Sequence, residues 1–396
     1  MATADSIPGT VDPTENSSAR LLVLLAAMPD EHLQAMCAIL AQVFSPSDAL
    51  IAVPETISHG ADSSLRVVKA PQTRPSWTLT AADFDNAHTL ATAHAAEAII
   101  LLGPEAHTLQ PSTVSALADA VLNAPNDLAL PAYDLSPRAG LVNSAILFPV
   151  TRALFATKPR YPLAVDVAFS ARMAAHMANA AQRFTRVNQG DAQVWPLNEA
   201  AVAGFTVTEV PAGERKFAQP EDPDLNKILP LLAGSLFSDV EAKAAFWQRP
   251  RQAPHGGAMQ YLIQSTERSS DTETMIQAFR LAYTNLQEIW SLVLPPNALL
   301  GLKRLSLLDA SDFRMPDNLW ARIVYDFLLA WRLRTINRGH LLGALVPLYL
   351  AWVASHFHTT ESSMTPEQHV EAVAAAFEAE KPYLVSRWRW PDRFNP

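Results

Sequence analysis

Short apolar runs alternate with longer amphipathic stretches through the first half of the chain. The runs at residues 21–25, 49–53, 65–68, 98–102, 128–130 and 205–210 are bounded by Pro, Asp, Ser or Gly, which predicts strands. Residues 30–44, 87–96 and 112–122 carry apolar side chains at three- and four-residue spacing, which predicts helices. Repeated strand and helix units predict a mostly parallel sheet with helices on both faces. Ligands of such sheets sit beyond the carboxyl ends of the strands.

From about Asp222 the strand pattern stops. Long helical stretches follow, punctuated at Pro250, Pro254, Pro295, Pro296, Pro316 and Pro366. Thr365, Pro366 and Gln368 form a helix start with a hydroxyl cap, proline at the first helical position and an amide three residues after the cap. The pattern divides the chain into a polar tail at 1–18, an α/β domain at 19–221 and a helical domain at 222–396. The longest apolar run, 341–354, is shorter than the ~20 residues that span a bilayer and contains Pro347 and Tyr349, so a buried helix is expected and no transmembrane segment. Trp290, Trp320, Trp331 and Trp352 fall on helix-like stretches, and core positions are expected for them.

At 396 residues the chain exceeds one ordinary core, which agrees with two domains. Thirty basic against 39 acidic residues leave −9, which offers no general attraction to phosphate backbones, and no nucleic-acid partner is expected. The single cysteine, Cys37, cannot form an intramolecular disulfide and has no Cys/His metal pattern around it. With no signal-peptide pattern in the polar tail, a cytoplasmic location is expected.

No GxSxG, HExxH, P-loop or GxGxxG motif occurs. Instead, several blocks stand in a definite order. The run 98–102 leads into Gly103, Pro104 and Glu105, with Pro111 following; Asp127 to Tyr133 ends in Pro131, Ala132, Tyr133; Gly140 to Asn143 precedes Ala145 to Pro149. Arg160, Tyr161, Pro162, Leu163, Ala164, Val165 and Asp166 form the next block, followed by Trp195 to Glu199 and by Gly213, Glu214, Arg215, Lys216. Over about residues 98–240 this order resembles the A-type (GT-A fold) glycosyltransferases of the mannosylglycerate and glucosylglycerate synthase group. The helical half resembles that group at Trp320 to Phe327 and Leu345 to Leu350.

The resemblance implies a GT-A-like α/β fold with a C-terminal all-helical domain, a nucleotide-sugar donor and a small-molecule or glycan acceptor. It aligns Glu105 with the second acid of the family's Asp-x-Asp motif, while Gly103 replaces the first. It also implies donor contacts from Gly103, Glu105, Glu55, Arg215 and Lys216, and acceptor contacts from Tyr133, Arg138, Asn143 and Trp195. Asp166, Glu199 and Asn198 take the catalytic positions, with Glu199 as a candidate base. A diphosphate leaving group calls for a cation. With Glu105 as the only acid of the pair and no histidine after Gly213, weak Mg²⁺ or Mn²⁺ binding is expected and no organic cofactor. Lys158, Arg160, Arg215 and Lys216 are cations that could neutralise the diphosphate directly.

Two functions follow from the resemblance. One is sugar transfer from a nucleotide-diphosphate donor with weak or no metal dependence; the other is a catalytically inactive descendant that binds or scaffolds. A homo-oligomer built through the helical half is a third reading. Asp166 reads equally well as a helix cap before a helix over 167–177.

Overall fold

The computed structural model describes residues 19–54, 65–136, 138–218, 224–249 and 272–391. Glu55, the tail 1–18, Pro250 and Pro254 lie outside them.

The first half forms a seven-stranded sheet of order β3-β2-β1-β4-β6-β5-β7. In chain order its elements are β1 (Leu21–Leu25), α1 (Asp30–Val43), β2 (Ala49–Pro54), β3 (Arg66–Ala70), α2 (Ala81–Ala93) and β4 (Ala98–Leu102). There follow α3 (Pro111–Leu122), β5 (Leu128–Tyr133), α4 (Phe148–Phe155), β6 (Asp166–Ser170), α5 (Ala171–Thr185), α6 (Pro196–Ala203) and β7 (Val207–Gly213). β1 pairs in parallel with β2 on one side and β4 on the other, Leu24 standing opposite Ala52 and Leu101. Both faces are covered. Leu22, Leu24, Leu50, Ile99 and Leu101 pack on Phe84, Met173 and Met177 from α2 and α5, while Leu21, Val23, Ile51 and Ile100 pack on Leu33, Met36, Val114 and Leu117 from α1 and α3. Burial on both faces explains why these strands read as unbroken apolar runs rather than alternating ones.

β6 is the element that the periodicity misplaces. It runs antiparallel between β4 and β5, with Asp166 opposite Leu102 and Ser170 opposite Ala98. The helix expected over 167–177 therefore starts only at Ala171. Its cap is Ser170, whose hydroxyl accepts from Met173 N–H, and not Asp166. Ala168 and Phe169 gain a paired strand on each side and Val167 one on the β4 side, and that pairing outweighs the helix-like spacing. α2 also begins earlier than its apolar spacing indicates, because Thr80 and Asp83 form a capping box ahead of an alanine-rich first turn.

The second half is helical: α7 (Leu225–Ala242), α8 (Ala244–Trp247), α9 (Thr272–Asn285), α10 (Gln287–Val293), α11 (Pro296–Ser306), α12 (Asp317–Leu333), α13 (Arg338–Ser362) and α14 (Pro366–Arg389). Thr365 and Gln368 make the expected capping box of α14. Trp290, Trp320 and Trp352 are at most 1% exposed and Trp331 7%, all within one core. That core also takes Ala145, Ile146, Val150 and Leu154, so the helices close over the α4 side of the sheet unit. A π-helical turn at Asn143–Leu147 enters α4, and Trp320 Nε1–H donates to the Ala145 carbonyl at 2.8 Å. α13 is long and apolar enough to cross a membrane by length and composition, yet 78% of its apolar window is buried inside the protein.

Candidate functional site

The strand order has a switch point. From β1 the chain moves outward through β2 and β3, then returns by α2 to place β4 on the other side of β1. Open α/β sheets bind ligands in a crevice beyond the carboxyl ends of the strands at such a point. Here the start of α1 after β1 and the loop after β4 border that place, with α1 and α3 packed on the same face of the sheet.

The loop after β4 carries Gly103, Pro104 and Glu105 and then a 3₁₀ turn at Ala106–Thr108. Gly103 N–H donates to Asp166 Oδ1 at 3.0 Å. A Cβ on Gly103 would lie 2.3 Å from the Val165 carbonyl oxygen. Any side chain is excluded there, so the first acid of a two-acid motif has no room in this backbone.

Asp166 is committed on every side. Tyr133 Oη–H donates to Oδ2 at 2.8 Å, Arg215 Nε–H to Oδ2 at 2.9 Å and Arg215 Nη2–H to Oδ1 at 3.1 Å. Both side chains of the Arg215 and Asp166 pair are 0% exposed. Burial works against the Arg215 charge, but the Asp166 carboxylate more than offsets it and raises its pKa. Burial, with the Asp166 charge, pushes the Tyr133 hydroxyl well above the usual phenol range. Arg215 also donates to the carbonyls of Pro104 and Lys216, at 2.8 and 2.6 Å. Its guanidinium therefore stitches the β4 loop to β6 and the segment after β7 and does not face solvent. Lys216 beside it is exposed.

Toward the open side of the same loop stand three side chains from two elements. Glu105 has φ +64°, the left-handed region that non-glycine residues enter at a cost. Its Oε1 lies 3.5 Å from His32 Nδ1, in the first turn of α1, and its Oε2 lies 3.8 Å from His107 Nε2. The two imidazoles face each other with centroids 3.9 Å apart. Burial, then the neighbouring His32, lowers the pKa of His107 and favours its neutral form.

Mg²⁺ is ordinarily held by one or two carboxylates together with substrate phosphate oxygens and water. Here Glu105 is the one carboxylate, two imidazoles stand beside it and Gly103 cannot supply a second acid, so these side chains alone make a weak Mg²⁺ site.

The acceptor-side residues fall into two further groups. Asn143 is 8% exposed and its side-chain amide donates to the Arg160 carbonyl at 3.0 Å, while Arg138 lies over the Phe357 ring of α13 at 5.0 Å. Arg160 itself donates through Nη2 to Ser144 Oγ and packs over Phe148, and Lys158 is exposed. Trp195, Asn198 and Glu199 stand together at the start of α6, facing α7. Trp195 and Glu199 line a cleft of about 180 Å³ with Arg183, Ser235, Asp239 and Lys243. Trp195 Nε1–H donates to Ser235 Oγ at 3.0 Å and Asn198 Nδ2–H to Asp239 Oδ2 at 2.9 Å. Lys243 Nζ reaches Glu199 Oε1 at 3.0 Å and also bonds Asp239, and His176 Nε2 lies 2.9 Å from Glu199 Oε2. Burial alone would raise the Glu199 carboxyl, but Lys243 overrides it, with His176, and holds it below the usual range. A base working near neutral pH is helped by the opposite shift, so the surroundings of Glu199 suit a fixed negative charge.

The structure thus joins Gly103, Tyr133, Asp166 and Arg215 in one buried network, and Trp195, Asn198 and Glu199 in another. His107 carried a local signal in the sequence, two residues after Glu105. His32 carried none, since only the β1 and β4 pairing brings it to the loop. Asp239 of α7 and Lys243 at its C-cap are also far from Glu199 in sequence.

No protein-family profile and no curated protein matches the sequence. Among solved structures, glucosyl-3-phosphoglycerate synthase from Mycobacterium tuberculosis in complex with Mn²⁺, UDP and glucosyl-3-phosphoglycerate superposes at a TM-score of 0.34. It is 14% identical, over 60% of this chain and 86% of that one. The same enzyme with Mn²⁺, UDP-glucose and phosphoglyceric acid gives 0.36 at 13% identity, over 57% and 79%. A structure described as a mycobacterial protein gives 0.36 at 13%, over 58% and 76%. The chain has the α/β architecture expected of its sequence, a mostly parallel sheet flanked by helices and followed by a helical half.

Proposed function

We propose that the chain is a nucleotide-sugar glycosyltransferase that holds its donor in the crevice between β1 and β4 and passes the sugar to a small-molecule or glycan acceptor. The observation that carries this reading is the placement of Glu105, with His32 and His107, at the switch point of the sheet, where open α/β sheets bind their ligands. Exposed Lys216 adds positive charge beside it. In this reading Asp166, Tyr133 and Arg215 act as the rigid floor of the donor site, fixing the β4 loop from beneath through Gly103 N–H and the Pro104 carbonyl. Trp195, Asn198 and Glu199 serve the acceptor side, Glu199 as a charge that orients a hydroxyl or cation. In this reading a divalent cation would rest on Glu105, with the donor's phosphate oxygens and water completing its shell.

The specific observation favouring a non-catalytic, binding role is the seal over Asp166. A carboxylate with all its partners made and no exposure contacts no substrate unless Arg215 moves. A panel of UDP- and GDP-sugars with calorimetric and sugar-release readouts separates the two. Transfer predicts binding with release, and at least tenfold slower release for Glu105→Ala. Binding without release establishes the non-catalytic role, and no binding across the panel contradicts both.

A further inference from the structure

We propose that His32, Glu105 and His107 form a binding site for a transition-metal dication of the Zn²⁺ or Co²⁺ class, with one coordination position left open toward the crevice. The site draws on α1 for one imidazole and on the β4 loop for the other two ligands.

Geometry is the first support. Two ligands held about 2.1 Å from one tetrahedral ion stand about 3.4 Å apart. His32 Nδ1 lies 3.5 Å from Glu105 Oε1 and His107 Nε2 3.8 Å from Glu105 Oε2, each imidazole near that length from a different oxygen of the one carboxylate. All three ligand atoms lie within 4.8 Å of one another. They are also too long for good direct hydrogen bonds. His32 Nδ1 is buried and has no hydrogen-bond partner, which is costly for a ring nitrogen unless something else satisfies it.

Chemistry is the second support. Two imidazoles and a carboxylate are the ligand types of an open zinc-type site, in which three protein ligands leave the fourth position to water or a ligand oxygen. Glu105 stands there with its backbone in the left-handed region, a conformation that a non-glycine residue enters at a cost. Neutral imidazole is the ligating form.

The site occupies the crevice assigned to the donor, and its test uses metal without nucleotide, so each reading can fail alone. The full chain, stripped with a chelator, is titrated with Zn²⁺ and with Mg²⁺ by calorimetry, and with Co²⁺ by visible absorption. One Zn²⁺ per chain is expected, Mg²⁺ at least a hundredfold weaker, and a Co²⁺ spectrum of low coordination number. His32→Ala and His107→Ala each weaken Zn²⁺ at least tenfold, while His340→Ala, at an exposed position, leaves it unchanged. Should an alanine variant lose its fold by circular dichroism, His32→Gln and His107→Gln give the same readout. Zn²⁺ affinity that is unchanged in the His32 and His107 variants, equal affinity for Mg²⁺ and Zn²⁺, or no Zn²⁺ binding overturns the proposal.

Discussion

Arg215 shows how differently one side chain reads in a sequence and in a fold. Beside Lys216 and two residues after Gly213 it has the profile of a surface cation available to phosphate, but the structure encloses its guanidinium completely against Asp166. Asp166 was legible as the acid after an apolar block, whereas its counter-ion, 49 residues on, was not. Removing one partner of a buried pair leaves an uncompensated charge and costs about 3–5 kcal/mol. Arg215→Met is therefore expected to lower unfolding stability in urea by that order, and Arg215→Met combined with Asp166→Asn to recover part of it. A loss below about 1 kcal/mol in the single variant would mean that Asp166 is solvated or re-paired. Gly103 belongs to the same scale. Its replacement of an acid is visible in the sequence, but the reason, a Val165 carbonyl within 2.3 Å of any Cβ, is a tertiary fact.

Strands β1, β2 and β4 were readable as short apolar runs because burial on both faces leaves no other composition open to them. β6 was not, since Val167, Ala168 and Phe169 precede a true helix and only pairing with β4 and β5 makes them a strand. Among the helices, α13 and α14 carry a feature that sequence spacing hid. His356 and His369 meet through their Nδ1 atoms at 2.7 Å, and His369 Nε2 reaches Asp317 Oδ1 at 3.2 Å. If His369 donates to Asp317, the neutral ring accepts from His356 Nδ1–H. Burial, with the adjacent His369, lowers the His356 pKa from 6.5 to about 3. The unfolded chain therefore takes up this proton first. Stability is complete above pH 6.5 and falls as pH drops from there toward 3, at up to about 1.4 kcal/mol per pH unit. Thermal unfolding between pH 7 and 5 should show that slope in the wild type and a shallower one in His356→Gln. Identical slopes would show that His356 does not titrate in this window.

At the scale of the molecule, two units share a core across α4. The helical half buries its tryptophans against Ala145, Ile146 and Val150, and the α6 cleft opens between sheet-unit helices and α7. The order of the sequence blocks was enough to anticipate the sheet and the helical half. It was not enough to assemble a site, because His32 comes to Glu105 through the β1 and β4 pairing and Lys243 to Glu199 through α7 packing. The account therefore turns on which of the two places receives the donor. A crystal of the full chain soaked with a UDP-sugar and Zn²⁺ addresses this directly. The account predicts diphosphate density over the loop after β4, within reach of Glu105, His107 and Lys216. Density in the cleft of Glu199 and Lys243, with the β4 loop empty, would contradict it.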